Sequence, residues 1–174
     1  MTTTPPNTSN GVPVVRLEPW EKDWATHIGT ARHEVNLTRG DAAWYDAKRM
    51  EDNLTASIVA AVAELAVAKH TNRYWSGSIW PIADHNKYKD LPDVGRNIEV
   101  RTVRTSSSAA VRQHQVGKGL VLWVAKPIRP DLDEVEMWGW LPMDEAWELG
   151  DPAGYDKTGK TRVVHRRHLR NDLP

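Results

Sequence analysis

Residues 92–102 read PDVGRNIEVRT, and this stretch decides the fold. Ile98, Val100 and Thr102 alternate with Glu99 and Arg101, the period of two that marks a strand, so a strand is predicted over 97–105. Glu99 and Arg101, two apart, project from the same face of it. Gly95 supplies a turn just before it, through which Asp93 can fold back towards Glu99. Two carboxylates on one face offer hard oxygen donors suited to Mg²⁺ or Mn²⁺, with the Val100 carbonyl as a further ligand. An ordinary Glu99–Arg101 ion pair on an edge strand is the plain structural alternative.

Upstream, residues 53–69 are Ala-rich, with Leu54, Ile58, Val62 and Leu65 on one stripe, and predict a helix opened by Asn53 as its N-cap. Glu64 is the one ionisable residue from Asn53 to Ala68. It sits beside Ser57, Ala60, Ala61 and Ala68, small residues that let another element approach closely. A carboxylate buried there needs a cation, a metal or good donors; at the solvent edge of the helix it needs nothing. Trp20, Trp24, Ile28, Ala31 and Val35 recur at helical spacing and predict a helix over 18–36, and a short one is expected over 41–50. Residues 71–92 form a long aromatic and basic connection. Downstream, 106–108 and their neighbours are expected to be a mobile connection. Residues 120–125 are a continuous apolar run, read as a buried central strand. Residues 134–141 alternate again, 142–149 give a short helix, 150–159 a loop, and 161–164 a last strand. Residues 1–13, rich in Thr, Pro, Asn and Ser, are expected to be a disordered tail before a single domain over 14–174.

Lys and Arg number 23, as do Asp and Glu, so the formal net charge is zero and a uniformly basic surface is excluded. The charge is uneven, with eight acids and no Lys or Arg in 131–151, and six Lys or Arg and no acid in 157–170. The absence of cysteine excludes disulfides, thiolate metal sites and a Cys nucleophile. No stretch of about 18 apolar residues is present, and the first residues lack a signal-peptide pattern, so neither a membrane span nor export is expected. Residues 154–161, GYDKTGKT, match the phosphate-loop pattern letter for letter. They lack the preceding buried strand and the following long helix that its chemistry needs, and so read as a Gly-rich turn.

A helix with one interior Glu, then Pro-Asp, then Glu-x-Arg on a strand, then a buried strand, resembles the PD-(D/E)XK nuclease superfamily over residues 53–141, and most of all its small phage-encoded members. The resemblance implies an α/β fold with a mixed central sheet of about four strands, helices on both faces (a restriction-endonuclease-like core) and a helical N-terminal extension. It implies Glu64, Asp93, Glu99 and Arg101 as catalytic residues. Asp93, Glu99 and the Val100 carbonyl would bind Mg²⁺ or Mn²⁺, and Glu64 a second ion or a water on it. The family's usual lysine is Arg101 here, and since arginine stays charged its role is to position or to stabilise. The implied activity is phosphodiester hydrolysis on DNA in phage-type DNA processing, in the cytoplasm of the cell or of a phage host. Trp75, Trp80, Lys87 and Lys89 in the aromatic connection, Arg104, and Lys160, Arg162, Arg166 and Arg167 are the expected nucleic-acid contacts. Two alternatives stand beside it. One is a catalytically degenerate binding module in which Glu64, Glu99 and Arg101 form an ion network. The other is a host-interaction protein using the acidic segment 131–151.

Overall fold

Two apolar segments, the helix around Glu64 and the strand run after residue 120, organise the chain by burying against each other. The computed structural model describes residues 7–9, 11–38, 52–88 and 90–173. Its helices are α1 (Pro19–Leu37), α2 (Asn53–Thr71), the single turn α3 (His85–Tyr88) and α4 (Met143–Leu149). Its strands are β1 (Asn7–Ser9), β2 (Val12–Arg16), β3 (Ile98–Thr102), β4 (Ser108–Arg112), β5 (Val121–Pro127), β6 (Glu134–Pro142), β7 (Asp151–Pro152) and β8 (Thr161–His165). The fold is α/β. The main sheet has the order β1-β2-β6-β5-β3 and is mixed, because β3 and β5 run parallel while the other pairs are antiparallel. It has five strands, the outermost being the three-residue β1, in keeping with the expected sheet of about four.

One face of this sheet packs against α2, with α1 outside it. Ile98, Val100, Trp123, Ala125, Val135 and Met137 meet Val62, Ala63, Ala66 and Val67 there. The opposite face carries Leu122, Val124, Trp138 and Leu141 and is covered by α4 together with a second, three-stranded sheet, β4-β8-β7. Helices thus lie on both faces as expected, and a small antiparallel sheet shares the second layer with α4. Its strand β4 falls where a mobile connection was expected, because Ala109 and Val111 find β8 as an antiparallel partner and bury against the main sheet. The short β7 likewise lies in the expected loop 150–159.

The chain start is corrected as well. Residues 7–9 and 12–16 form a hairpin whose inner strand, β2, pairs with β6, so the expected disordered tail does not extend over them. The valines at 12, 14 and 15 supply the apolar content that the Thr- and Pro-rich start lacks. The expected helix over 41–50 lies outside the described residues.

The face α1 buries is shifted from its aromatic stripe. Glu21, Ala25, Ile28 and Gly29 are buried, whereas Trp20 and Trp24 are 68% and 51% exposed. Close helix–helix approach selects small residues here: a Cβ on Gly29 would lie 2.5 Å from the Ile58 Cα and 2.8 Å from the Ser57 carbonyl oxygen. The N-cap of α2 is Asp52 rather than Asn53; its side chain accepts from the Thr55 N–H at 2.8 Å. By length and composition α2 is apolar enough to cross a membrane, and its apolarity is used here between α1 and the sheet.

Candidate active site

The open edge of β3 brings three of the predicted residues together, Asp93, Glu99 and Arg101. In a parallel pair every second residue turns its N–H and C=O away from its neighbour, and on β3 these are Ile98 and Val100. Ile98 exchanges both backbone bonds with Val94, at 3.1 Å each, through the turn containing Gly95 with φ of 59°. The next pair of edge groups belongs to Val100, and side chains satisfy it. Asp93 Oδ2 accepts from the Val100 N–H at 2.8 Å, and Arg101 Nη1 donates to the Val100 carbonyl at 3.1 Å. Asp93 has thus folded back onto the strand as the sequence suggested.

Glu99 and Arg101 share the face of β3 opposite to α2 and are tied to each other. Arg101 Nη1 donates to Glu99 Oε1 at 2.8 Å. A third residue closes the triangle: Gln115 Nε2 donates to the same Glu99 oxygen at 2.8 Å, and Gln115 Oε1 accepts from Arg101 Nη2 at 2.9 Å. Gln115 is buried in a 3₁₀ turn leading into β5. It went unmarked in the sequence because an isolated Gln carries no pattern.

Glu64 is buried, 6% exposed, and is held from the other side. Arg32 Nη1 lies 2.8 and 2.9 Å from its two oxygens, and the Trp75 indole N–H donates at 2.9 Å. Arg32 comes from α1, one turn beyond Gly29, so the tight α1–α2 contact delivers it; Arg32 Nε also donates to the Ser78 carbonyl at 3.0 Å. The carboxylates are therefore arranged as two held groups with Asp93 between them. Burial first, then the charges of Glu64 and Glu99, push the Asp93 carboxyl up to about 8, against the pull of the Val100 N–H and Arg101.

Asp93 and Glu99 line one cavity of about 250 Å³ at this edge, with Arg32 on its wall. Neither Glu64 nor Arg101 is part of the lining. Among the described residues no group of three or more His, Cys, Asp and Glu side chains is arranged to hold a metal ion. A two-carboxylate set nevertheless suits Mg²⁺, which is commonly held by one or two carboxylates together with substrate phosphate. The Val100 carbonyl, the expected backbone ligand, already accepts from Arg101.

No family model matches the chain, and no curated protein or solved structure matches it.

The expected nucleic-acid contacts divide. Trp80 lines the cavity, and Trp75 is committed to Glu64. The Lys87 ammonium sits over the Tyr88 ring at 4.8 Å, and Lys89 lies outside the described residues. Arg104 is exposed just beyond β3. Lys160, Arg162, Arg166 and Arg167 belong to β8 and its flanks, in the second layer, and none lines the cavity. Two of them stack on tryptophans: Arg162 over Trp147 at 4.8 Å and Arg166 over Trp138 at 4.4 Å. Arg170 does the same over Trp140 at 5.2 Å and pairs with Glu145 at 2.7 Å. The acidic and basic segments seen in the sequence thus partly meet each other.

Proposed function

We propose that the chain is a divalent-metal-dependent nuclease that hydrolyses phosphodiester bonds of DNA at the edge of β3. The observation that supports this most is Asp93, a carboxyl between two others and facing a cavity it shares with Glu99. Crowded carboxylates repel unless a proton or a cation joins them. Asp93 and Glu99 would hold Mg²⁺ or Mn²⁺, whose chemistry when bound is to withdraw charge from phosphate oxygens and to acidify water. Arg101 cannot accept a proton, so its part is electrostatic: it orients Glu99 and adds positive charge beside it. Gln115 fixes the pair, and Arg32 holds Glu64 clear of the cavity while presenting a cation of its own.

A second reading is favoured by one observation: Arg32 and Arg101 already neutralise Glu64 and Glu99. On that reading the same fold binds nucleic acid without cutting it. Cleavage of labelled single- and double-stranded DNA and RNA with Mg²⁺ or Mn²⁺, alongside calorimetric titration with Mn²⁺, separates the two. The nuclease reading requires cleavage and Mn²⁺ binding that both vanish in Glu99→Gln and Asp93→Asn. DNA binding without either leaves the second reading.

A further inference from the structure

The walls of the cavity beside Asp93 and Glu99 are of a kind that hydrolysis alone does not need. Ile79, Trp80, Ile82 and Leu91 form its apolar sides, and Asn36 and His85 stand among them. Ile79 and Leu91 remain 41% and 51% exposed, apolar surface left open beside carboxylates. Pockets for drug-sized ligands run to about 300–1,000 Å³. At about 250 Å³ this one suits a single ring system, and a base still paired in a duplex is too large for it. Trp80 is braced by Tyr88, the rings 5.7 Å apart and tilted by 43°. An indole of this kind stacks on the face of any base, and an asparagine amide offers the donor and acceptor that a base edge can read.

We infer that this cavity receives one unpaired nucleobase of a DNA strand whose adjoining phosphate lies against Asp93 and Glu99, so that the substrate is single-stranded DNA or a frayed end. The placement of the phosphate rests on the nuclease reading; the seating of the base does not, and it is measurable without cleavage. The probe is a single-stranded DNA hexamer carrying one central 2-aminopurine, titrated with the full 174-residue chain in Ca²⁺ and, separately, in chelator. Stacking on Trp80 quenches the probe's fluorescence on binding. Trp80→Ala weakens binding by roughly 5- to 100-fold, as for one lost stacked base, and abolishes the quench, while Trp80→Phe restores most of both. A hexamer with an abasic residue in place of the 2-aminopurine binds the wild type as weakly as the intact one binds Trp80→Ala. Wild-type affinity and quench in a Trp80→Ala protein with an unchanged thermal melt would overturn the inference, as would equal affinity for the duplex or no binding at all. Loss of the nuclease reading has a separate signature, an intact quench with no cleavage in Mg²⁺ or Mn²⁺, and in that case the base pocket stands.

Discussion

The carboxyl of Asp93 changes charge in the range where proteins are handled. An unfolded aspartate titrates near about 3.9, and in the folded chain Asp93 is pushed up to about 8. Between those values the folded state keeps a proton that the unfolded state has released. Stability therefore falls as pH rises through this window, and the loss is complete above about pH 8. In chelator the melting temperature is expected to be lower at pH 8.5 than at pH 5.5. Asp93→Asn, which still offers an oxygen to the Val100 N–H, should flatten that slope; a slope as steep as the wild type's would remove Asp93 as its cause. Arg101 gives a second residue-level prediction. Its fork reaches Glu99, the Val100 carbonyl and Gln115 at once. Arg101→Ala should cost about 1–3 kcal/mol in denaturant melts by stripping a partner from Glu99, and about 10²–10³-fold in cleavage if the guanidinium also faces the phosphate. Arg101→Lys should retain measurable cleavage, because an ammonium can still pair with Glu99, and should lose part of the stability, because one nitrogen cannot span three acceptors.

Among the elements, the α1–α2 pair sets the site. Gly29 lets the backbones touch, and Arg32 follows one turn later. Gly29→Ala should destabilise by about 1–3 kcal/mol through overpacking, and it should also move Arg32 and Asn36 relative to the cavity. Urea melts read the first effect and the affinity for single-stranded DNA the second. Asp52→Ala, which removes only the cap of α2, should lower the urea midpoint modestly and leave DNA affinity alone. These two elements also mark how far the sequence was readable. Helix α2 and strands β3 and β6 carry strong local periods and β5 a continuous apolar run, and their positions follow from these. The packing phase of α1 did not, because Trp20 and Trp24 dominate a hydrophobic stripe while Ala25 and Gly29 decide how closely two helices pack. The strands β1, β2, β4 and β7 were hidden for a related reason: none stands out by its own local pattern, and a partner strand makes each a strand. In the site, Asp93, Glu99 and Arg101 lie close in sequence and could be read together. Arg32 stands 32 positions from Glu64 and Gln115 stands 16 from Glu99, distances across which only the folded chain brings partners together.

At the scale of the whole molecule, the main sheet divides two apolar layers, and β5 lies between β3 and β6 with neighbours on both faces. Its middle residues, Leu122 to Ala125, are all buried. Native-state hydrogen exchange should find its amides the slowest in the chain, opening only with global unfolding, while those of β1 and α3 exchange through local fraying. Uniform protection across these elements would contradict the layered arrangement. Closure of the second layer depends on the segment around Arg170. The backbone of Arg170 exchanges two hydrogen bonds with Trp140, at 2.9 and 3.0 Å, where β6 bulges at Gly139. A Cβ at Gly139 would collide with the Arg170 carbonyl. On the ribosome, Trp140 therefore emerges about thirty residues before the segment that pairs with it, and its N–H and C=O must wait on water or a chaperone until Arg170 has followed. The segment around Arg170 acts as the latch of a newly made molecule, and a nascent chain halted after β8 would carry both sheets yet still be unfastened.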